Sequence, residues 1–260
     1  MEGLRTPLLD FFRRGEVARD VRLMAAQGAI APSPLEQLGI LMFLSVDADP
    51  EVKETAERTL GTLPPRAVAD FLARSDVPTE LREFFGKRGI EPSDTPAPDP
   101  EIPLTDTDET GLNLPAGEAE EEKALTFNER LADMTVPEKV KCATKGTREM
   151  RSVLIRDPNR MVSAAVLSCP KVNDAEVEAF AKMGNVSEDI LRAIAMNRAW
   201  TKSYGVKLAL VKNSKTPLAM SMNLLNLLSE KDVKIITTDR NVPEALRIHA
   251  KKRLVENKKH

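Results

Sequence analysis

Trp200 and Tyr204 are the only Trp and the only Tyr in the chain, and they stand four residues apart. Arg198, Lys202 and Lys207 interleave with them, and Lys212 and Lys215 follow. Aromatic rings set among cations can stack on nucleobases while the cations meet phosphates. They can equally anchor a protein partner, because Trp, Tyr and Arg carry much of the energy of protein interfaces. The structural alternative makes Trp200 a plug between two helices, with Tyr204 packed beneath it and the lysines as a solvated face, since aromatics at helical spacing are usually core. Arg198, Trp200, Lys202, Tyr204, Lys207, Lys212 and Lys215 together form the candidate partner-binding set.

Other chemistry is thinly supplied. Histidine occurs only as His249 and His260, and cysteine only as Cys142 and Cys169. Two cysteines 27 positions apart and one helical histidine do not assemble a zinc site. Each cysteine falls among apolar helical positions and reads as a reduced core residue. His249 borders the apolar stripe of its helix, which suits packing or a surface role better than ligation or base chemistry. Lys145-Gly146-Thr147 matches only the end of a P-loop, without the earlier glycine and the strand that would precede it. Carboxylates are densest in residues 91–122, where nothing positions them for acid–base work. The expectation is a protein with no catalytic residues, no metal and no cofactor, and not an enzyme.

The elements that must position the aromatic and basic cluster read as helices. The 260-residue chain is 42% hydrophobic but only 4% aromatic, a balance that suits helix-on-helix packing better than a β-sandwich. Ser33-Pro34-Leu35-Glu36 has the pattern of a capping box with Pro at the first helical position. Residues 35–44 behind it are apolar on nearly all sides, so that helix is expected to be buried. Asp49-Pro50-Glu51-Val52 opens the next helix by the same logic, and Val68, Phe71 and Leu72 mark another. Thr147 caps a helix through Val153 and Leu154, and apolar stripes follow at Val162 to Cys169, Val177 to Ala181 and Ile190 to Ala195. Val206, Ala209 and Leu210 continue them. Thr216-Pro217 is expected to cap a strongly apolar helix over residues 218–228, and Val242, Leu246, Ala250 and Leu254 close the chain. Residues 233–238 are the nearest approach to a strand and read as helical or irregular. No segment opens with a signal peptide, and the strongest apolar run, residues 38–44, is too short to span a membrane. A cytoplasmic location is expected.

Charge is partitioned along the chain. Residues 1–90 hold 12 basic and 14 acidic side chains, residues 91–122 hold 11 acidic and no basic ones, and residues 123–260 hold 26 basic and 15 acidic. Pro92, Pro96, Pro98, Pro100 and Pro103 forbid a regular element in the acidic stretch, which reads as a disordered linker. Its charge suits a contact with the chain's own basic C-terminal domain.

One short phrase is written four times. Val77-Pro78-Thr79-Glu80-Leu81, Val136-Pro137-Glu138-Lys139-Val140, Val186-Ser187-Glu188-Asp189-Ile190 and Val242-Pro243-Glu244-Ala245-Leu246 each read as a turn followed by a first helical turn. Spacings of 50 to 59 residues are those of stacked helical repeats. In addition, Val162, Ala165, Leu167 and Lys171 fall on Val206, Ala209, Val211 and Lys215 at an offset of 44. Lys212-Asn213-Ser214-Lys215-Thr216-Pro217-Leu218 resembles the turn of leucine-rich-repeat-variant proteins, with Ser214 where that family prefers Pro. Asp49-Pro50-Glu51-Val52 with Ala56 and Leu60 is similar to the second helix of a HEAT repeat. Some members of the variant family carry an iron–sulfur cluster on grouped cysteines, which this chain lacks.

The fold class expected is all-α: two short right-handed α-solenoid (HEAT-like) arrays at residues 1–90 and 123–260, joined by a disordered acidic Pro-rich linker at 91–122. Such arrays present long surfaces that usually bind proteins or peptides. The expected function is that of an interaction scaffold for a protein partner, acidic in view of the basic C-terminal array. The alternative is nucleic-acid binding through that same array.

Overall fold

A computed structural model describes residues 6–31, 33–95, 104, 130–131 and 133–257. Among them are fifteen short α-helices and no strand. Contacts group the chain into two compact units, Met1–Lys171 and Val172–His260.

The first unit contains α1 (Pro7–Arg14), α2 (Arg19–Ala26), α3 (Pro34–Leu44), α4 (Pro50–Thr62), α5 (Pro65–Leu72), α6 (Thr79–Gly86), α7 (Val136–Lys145), α8 (Arg148–Leu154) and α9 (Arg160–Leu167). Proline stands at the first position of α1, α3, α4 and α5, where its missing N–H removes no helical hydrogen bond. Side-chain oxygens satisfy the free amides of several starts. Thr6 Oγ1 accepts the Leu9 N–H at 3.3 Å, and Asn159 Oδ1 accepts those of Met161 and Val162 at 3.0 and 3.4 Å. Gly15 closes α1 at φ +70°, a left-handed conformation that favours glycine.

Helix α3 is the buried centre of this unit. Leu38, Ile40, Leu41 and Leu44 are all enclosed, and α3 packs against α1, α2, α4 and α6. The capping box expected at its start forms only in part. Ser33 Oγ accepts the Glu36 N–H at 3.4 Å, but the Glu36 carboxyl turns inward and is buried instead of reaching back. Helices α7, α8 and α9 pack on one another, and within the same unit α9 also meets α1 while α7 meets α2.

Two turns of this unit take the same path. Asp47 Oδ1 accepts the Asp49 N–H at 2.8 Å, and Asp157 Oδ1 accepts the Asn159 N–H at 2.8 Å. Both carboxylates are nearly buried, and each is met by a cation from an earlier helix: Arg22 Nη1 lies 2.6 Å from Asp47, and Lys139 Nζ lies 3.4 Å from Asp157. Pairing is what makes burial of such a charge tolerable. Gly146 ends α7 where an added Cβ would lie 2.3 Å from the Cys142 carbonyl oxygen, so only glycine fits. Its own carbonyl accepts from the buried Arg151 guanidinium at 2.9 Å.

The second unit contains α10 (Asp174–Lys182), α11 (Glu188–Met196), a 3-10 turn (Trp200–Lys202), α12 (Tyr204–Lys212), α13 (Leu218–Leu225), α14 (Glu230–Ile236) and α15 (Glu244–Asn257). Helix α12 packs against α10 and α13, while α15 packs against α14 and α13. Val177, Phe180, Ile190, Ile194, Val206, Leu210, Leu225, Val233 and Leu246 make its core. Buried Asn213 ties the end of α12 to the end of α10: its Nδ2 donates to the carbonyls of Ala181 at 2.8 Å and Met183 at 3.0 Å. Its Oδ1 accepts the Lys215 N–H at 3.0 Å. Arg253, near the end of α15, donates to the carbonyls of Leu225, Asn226 and Leu228, at and just beyond the end of α13.

Three copies of the repeated phrase share one local structure. Val77, Val186 and Val242 are buried, and one non-helical residue separates each from the helix start at Thr79, Glu188 or Glu244. The copy at Val136 differs, because α7 begins at Val136 itself. Thr135 there forms a complete capping box, with the Glu138 carboxylate accepting the Thr135 N–H at 2.7 Å and hydroxyl at 2.8 Å. Thr216 does not cap α13 as expected: its side chain is buried and Pro217 takes the cap position, while the helix stops at Leu225. Residues 233–236 are helical within α14. Of the expected linker at 91–122, only residues 91–95 and Leu104 are described; the rest lies outside the described residues, as do Lys258, Lys259 and His260. The Leu104 N–H donates to Oε1 of buried Gln37 at 2.9 Å.

Candidate functional site

Residues 198–215 carry five cations and no acid, within a second unit of 16 basic and 10 acidic side chains. Their path is set by Asn197. Its Oδ1 accepts the N–H groups of Ala199 at 2.9 Å and Trp200 at 3.4 Å, and its carbonyl accepts the Thr201 hydroxyl at 2.9 Å. This side-chain turn ends α11 and starts the 3-10 turn that holds Trp200 half-buried. Helix α12 follows at once. Val206, Ala209 and Leu210 face the core, which leaves Tyr204 on another face.

Tyr204 is 41% exposed, and its two ends are used differently. The hydroxyl oxygen accepts the Ser229 N–H at 3.1 Å, and the hydroxyl donates to the Asp232 carboxylate. Ser229 Oγ donates to the same carboxylate at 2.8 Å and accepts the Asp232 N–H at 3.3 Å. Tyr204 is thus part of the N-terminal cap of α14. The Tyr204 hydroxyl, then the Ser229 hydroxyl, hold the Asp232 carboxyl below the usual carboxylate range, with smaller help from Lys212 and Lys231. The ring itself carries Lys207, whose Nζ sits 5.8 Å from the centroid, a cation–π contact.

The seven candidate residues are distributed over this surface unevenly. Arg198, Lys202 and Lys215 are exposed, while Trp200, Lys207 and Lys212 are half-buried. Tyr204 and Lys207 meet directly, and Lys212 acts on the Asp232 carboxylate that Tyr204 touches. Ser229 and Asp232 belong to this cluster although the sequence reading does not include them. Ser229-Glu230-Lys231-Asp232 is a recognisable helix-start pattern, but nothing in it points 25 residues back to Tyr204.

Elsewhere the chemistry is sparse. Cys142 and Cys169 are buried and unpaired, and burial, followed by the nearby Glu138 charge, pushes the Cys142 thiol up. His249 is half-buried. Among the described residues no group of three or more His, Cys, Asp or Glu could hold a metal ion, and no helix is long and apolar enough to cross a membrane. An open cleft of about 430 Å³ lies between α2 and α4, lined by Leu23, Gln27, Glu51, Thr55, Arg58 and Thr59. Its charged groups are already engaged, Glu51 by Arg19 and Arg58 by Glu54 at 3.2 Å.

Comparison with protein-family models, curated proteins and solved structures returns no match, and neither the HEAT repeat nor the leucine-rich-repeat variant is identified. The fold defines an all-helical protein of short paired helices.

Proposed function

We propose that the chain is a non-catalytic scaffold of the α-solenoid, HEAT-like kind that binds an acidic protein partner through residues 198–215. Support for the repeat architecture comes from the two matching turns at Asp47 and Asp157. They join similar three-helix hairpins, α2–α4 and α7–α9, and each buries an aspartate against a cation from the hairpin's first helix. The buried, unpaired Cys142 and Cys169 suit a reducing compartment, and a cytoplasmic location is part of this reading.

The observation that carries the binding reading is the held but accessible ring of Tyr204. Its hydroxyl is anchored to Ser229 and Asp232, while the residue stays exposed and half-buried Lys207 lies over its ring. An aromatic already fixed before binding loses little rotamer freedom on docking, and that favours an interface anchor. The cations around it favour a negatively charged surface.

Nucleic-acid binding is the second reading, favoured by the five cations without an acid between residues 198 and 215. It is disfavoured by the Asp232 carboxylate at the tip of the Tyr204 ring, a fixed negative charge where a stacked base would bring a phosphate. Affinity capture with the full chain and with a Lys202→Glu/Lys207→Glu/Lys215→Glu variant tests the choice. A stoichiometric acidic protein retained by the wild type and released by the variant supports the scaffold. Nucleic acid recovered in its place, with strong weakening by salt, overturns it.

A further inference from the structure

The most unusual group in the first unit is the Glu36 carboxyl. Glu36 is 2% exposed, and neither of its carboxyl oxygens has a hydrogen-bond partner. The hydroxyls of Thr6, before α1, of Ser33, before α3, and of Ser168, after α9, lie beside it without completing a hydrogen bond. Thr6 Oγ1 and Ser33 Oγ are already occupied as acceptors by helix-start amides, and Ser168 Oγ is itself buried without a partner. Three chain segments therefore close over a carboxyl that nothing neutralises.

No charged side chain compensates. On α1, Asp10 pairs with Arg13 at 2.6 Å and Arg14 is exposed. On α2, Arg19 holds Asp49 and Glu51, Arg22 holds Asp47, and Asp20 is exposed. On α4, Glu54 pairs with Arg58, Glu57 with Arg88, and Lys53 is exposed. On α6, Arg82 donates to the carbonyls of Leu72 and Arg74, while Glu80 and Glu83 point away from the core. Arg160 of α9 is exposed. None of these acts on the Glu36 carboxyl, which burial alone pushes up to about 7 against the three hydroxyls.

We propose that Glu36 is a proton-operated latch within the first unit: its neutral acid lets Thr6, Ser33 and Ser168 close over it, and its ionisation releases the docking of α1 and the end of α9 on α3. The closed form binds the proton more tightly than the open chain does. Closure is therefore fully present below the ordinary carboxylate range, and is lost as pH rises through about 7. The carboxylates of Asp49, Glu57, Asp76 and Glu138 are held below their ordinary range, so they stay ionised in this window and add no slope of their own.

The test uses the full chain and its Glu36→Gln variant. Urea denaturation is followed from about pH 5 to about pH 8, with amide exchange in α1 corrected for intrinsic rate. In the wild type the opening equilibrium rises by up to about tenfold per pH unit until Glu36 has titrated. In the variant, which keeps the shape and cannot ionise, the rise disappears and α1 stays protected at the upper end. Carbon-13 titration of the wild-type carboxyl is the second measurement, and it needs no variant. A Glu36 midpoint in the ordinary range, or an unaltered pH slope in Glu36→Gln, overturns the latch.

Discussion

Removing only the hydroxyl of Tyr204, by Tyr204→Phe, separates its two uses. The substitution deletes the acceptor of the Ser229 N–H at 3.1 Å and the donor to the Asp232 carboxylate, and leaves the ring beneath Lys207. Both lost bonds are at a solvent-accessible helix start, where water replaces part of each, so the expected cost is about 1 kcal/mol. Part of that cost depends on ionised Asp232. Its carboxyl is held below the usual range chiefly by this hydroxyl, so the stabilisation is present above the ordinary aspartate value and lost as pH falls through the depressed one. Wild type and variant should therefore differ in urea denaturation at about pH 7 and converge as pH falls through the depressed Asp232 range, with the Asp232 titration midpoint moving upward in the variant. Partner binding should survive Tyr204→Phe and fail in Tyr204→Ala, which also removes the ring. An unchanged denaturation midpoint together with an unmoved Asp232 titration would show that the hydroxyl caps nothing. Loss of binding in Tyr204→Phe would show that the hydroxyl, not the ring, meets the partner.

Asn213→Ala leaves the carbonyls of Ala181 and Met183 without their donor, and should cost about 1–3 kcal/mol by denaturation, while an exposed control such as Ser214→Ala costs almost nothing. Gly146→Ala forces a Cβ against the Cys142 carbonyl oxygen, a backbone atom that has no rotamer to escape into. About 1–3 kcal/mol should be lost, read as a lowered melting midpoint. Asp157→Ala removes the acceptor of the Asn159 N–H and leaves half-buried Lys139 without its carboxylate. It should destabilise more than Asp76→Ala, whose side chain is mostly exposed beside Arg74; equal costs would mean that the buried turn contributes nothing special.

Local signals in this chain were readable where a residue acts on its own helix. Asp49-Pro50 and Thr147 mark helix starts in the sequence and act as such, because a cap needs only the next three amides. Thr216 fails by the same standard. Its place before Pro217 looks like a cap, but its side chain is drawn into the core and the amide it would serve goes unmet by it. The Val136 copy of the repeated phrase shifts by two positions because Thr135 and Glu138 complete a stronger start one residue earlier. Glu36 shows the limit most clearly: its backbone amide follows the capping pattern, while its carboxyl follows the tertiary environment made by Thr6 and Ser168, 30 positions before it and 132 after. At the candidate site the aromatic and cationic residues stand together in sequence. Ser229 and Asp232 join them only through folding, and they decide which end of Tyr204 is free.

Arg253 gives the second unit an unusual dependence on its last helix. Its guanidinium holds three carbonyls that lie 25 to 28 residues upstream, at and just beyond the end of α13. Trimming the chain from its C-terminus should therefore not erode stability gradually. Shortened forms that keep Arg253 should resist proteolysis much as the full chain does, and the first form without it should open to cleavage near Asn226. A clip that removes a handful of residues from one end would thus be transmitted to a distant loop, as if a clasp had been undone.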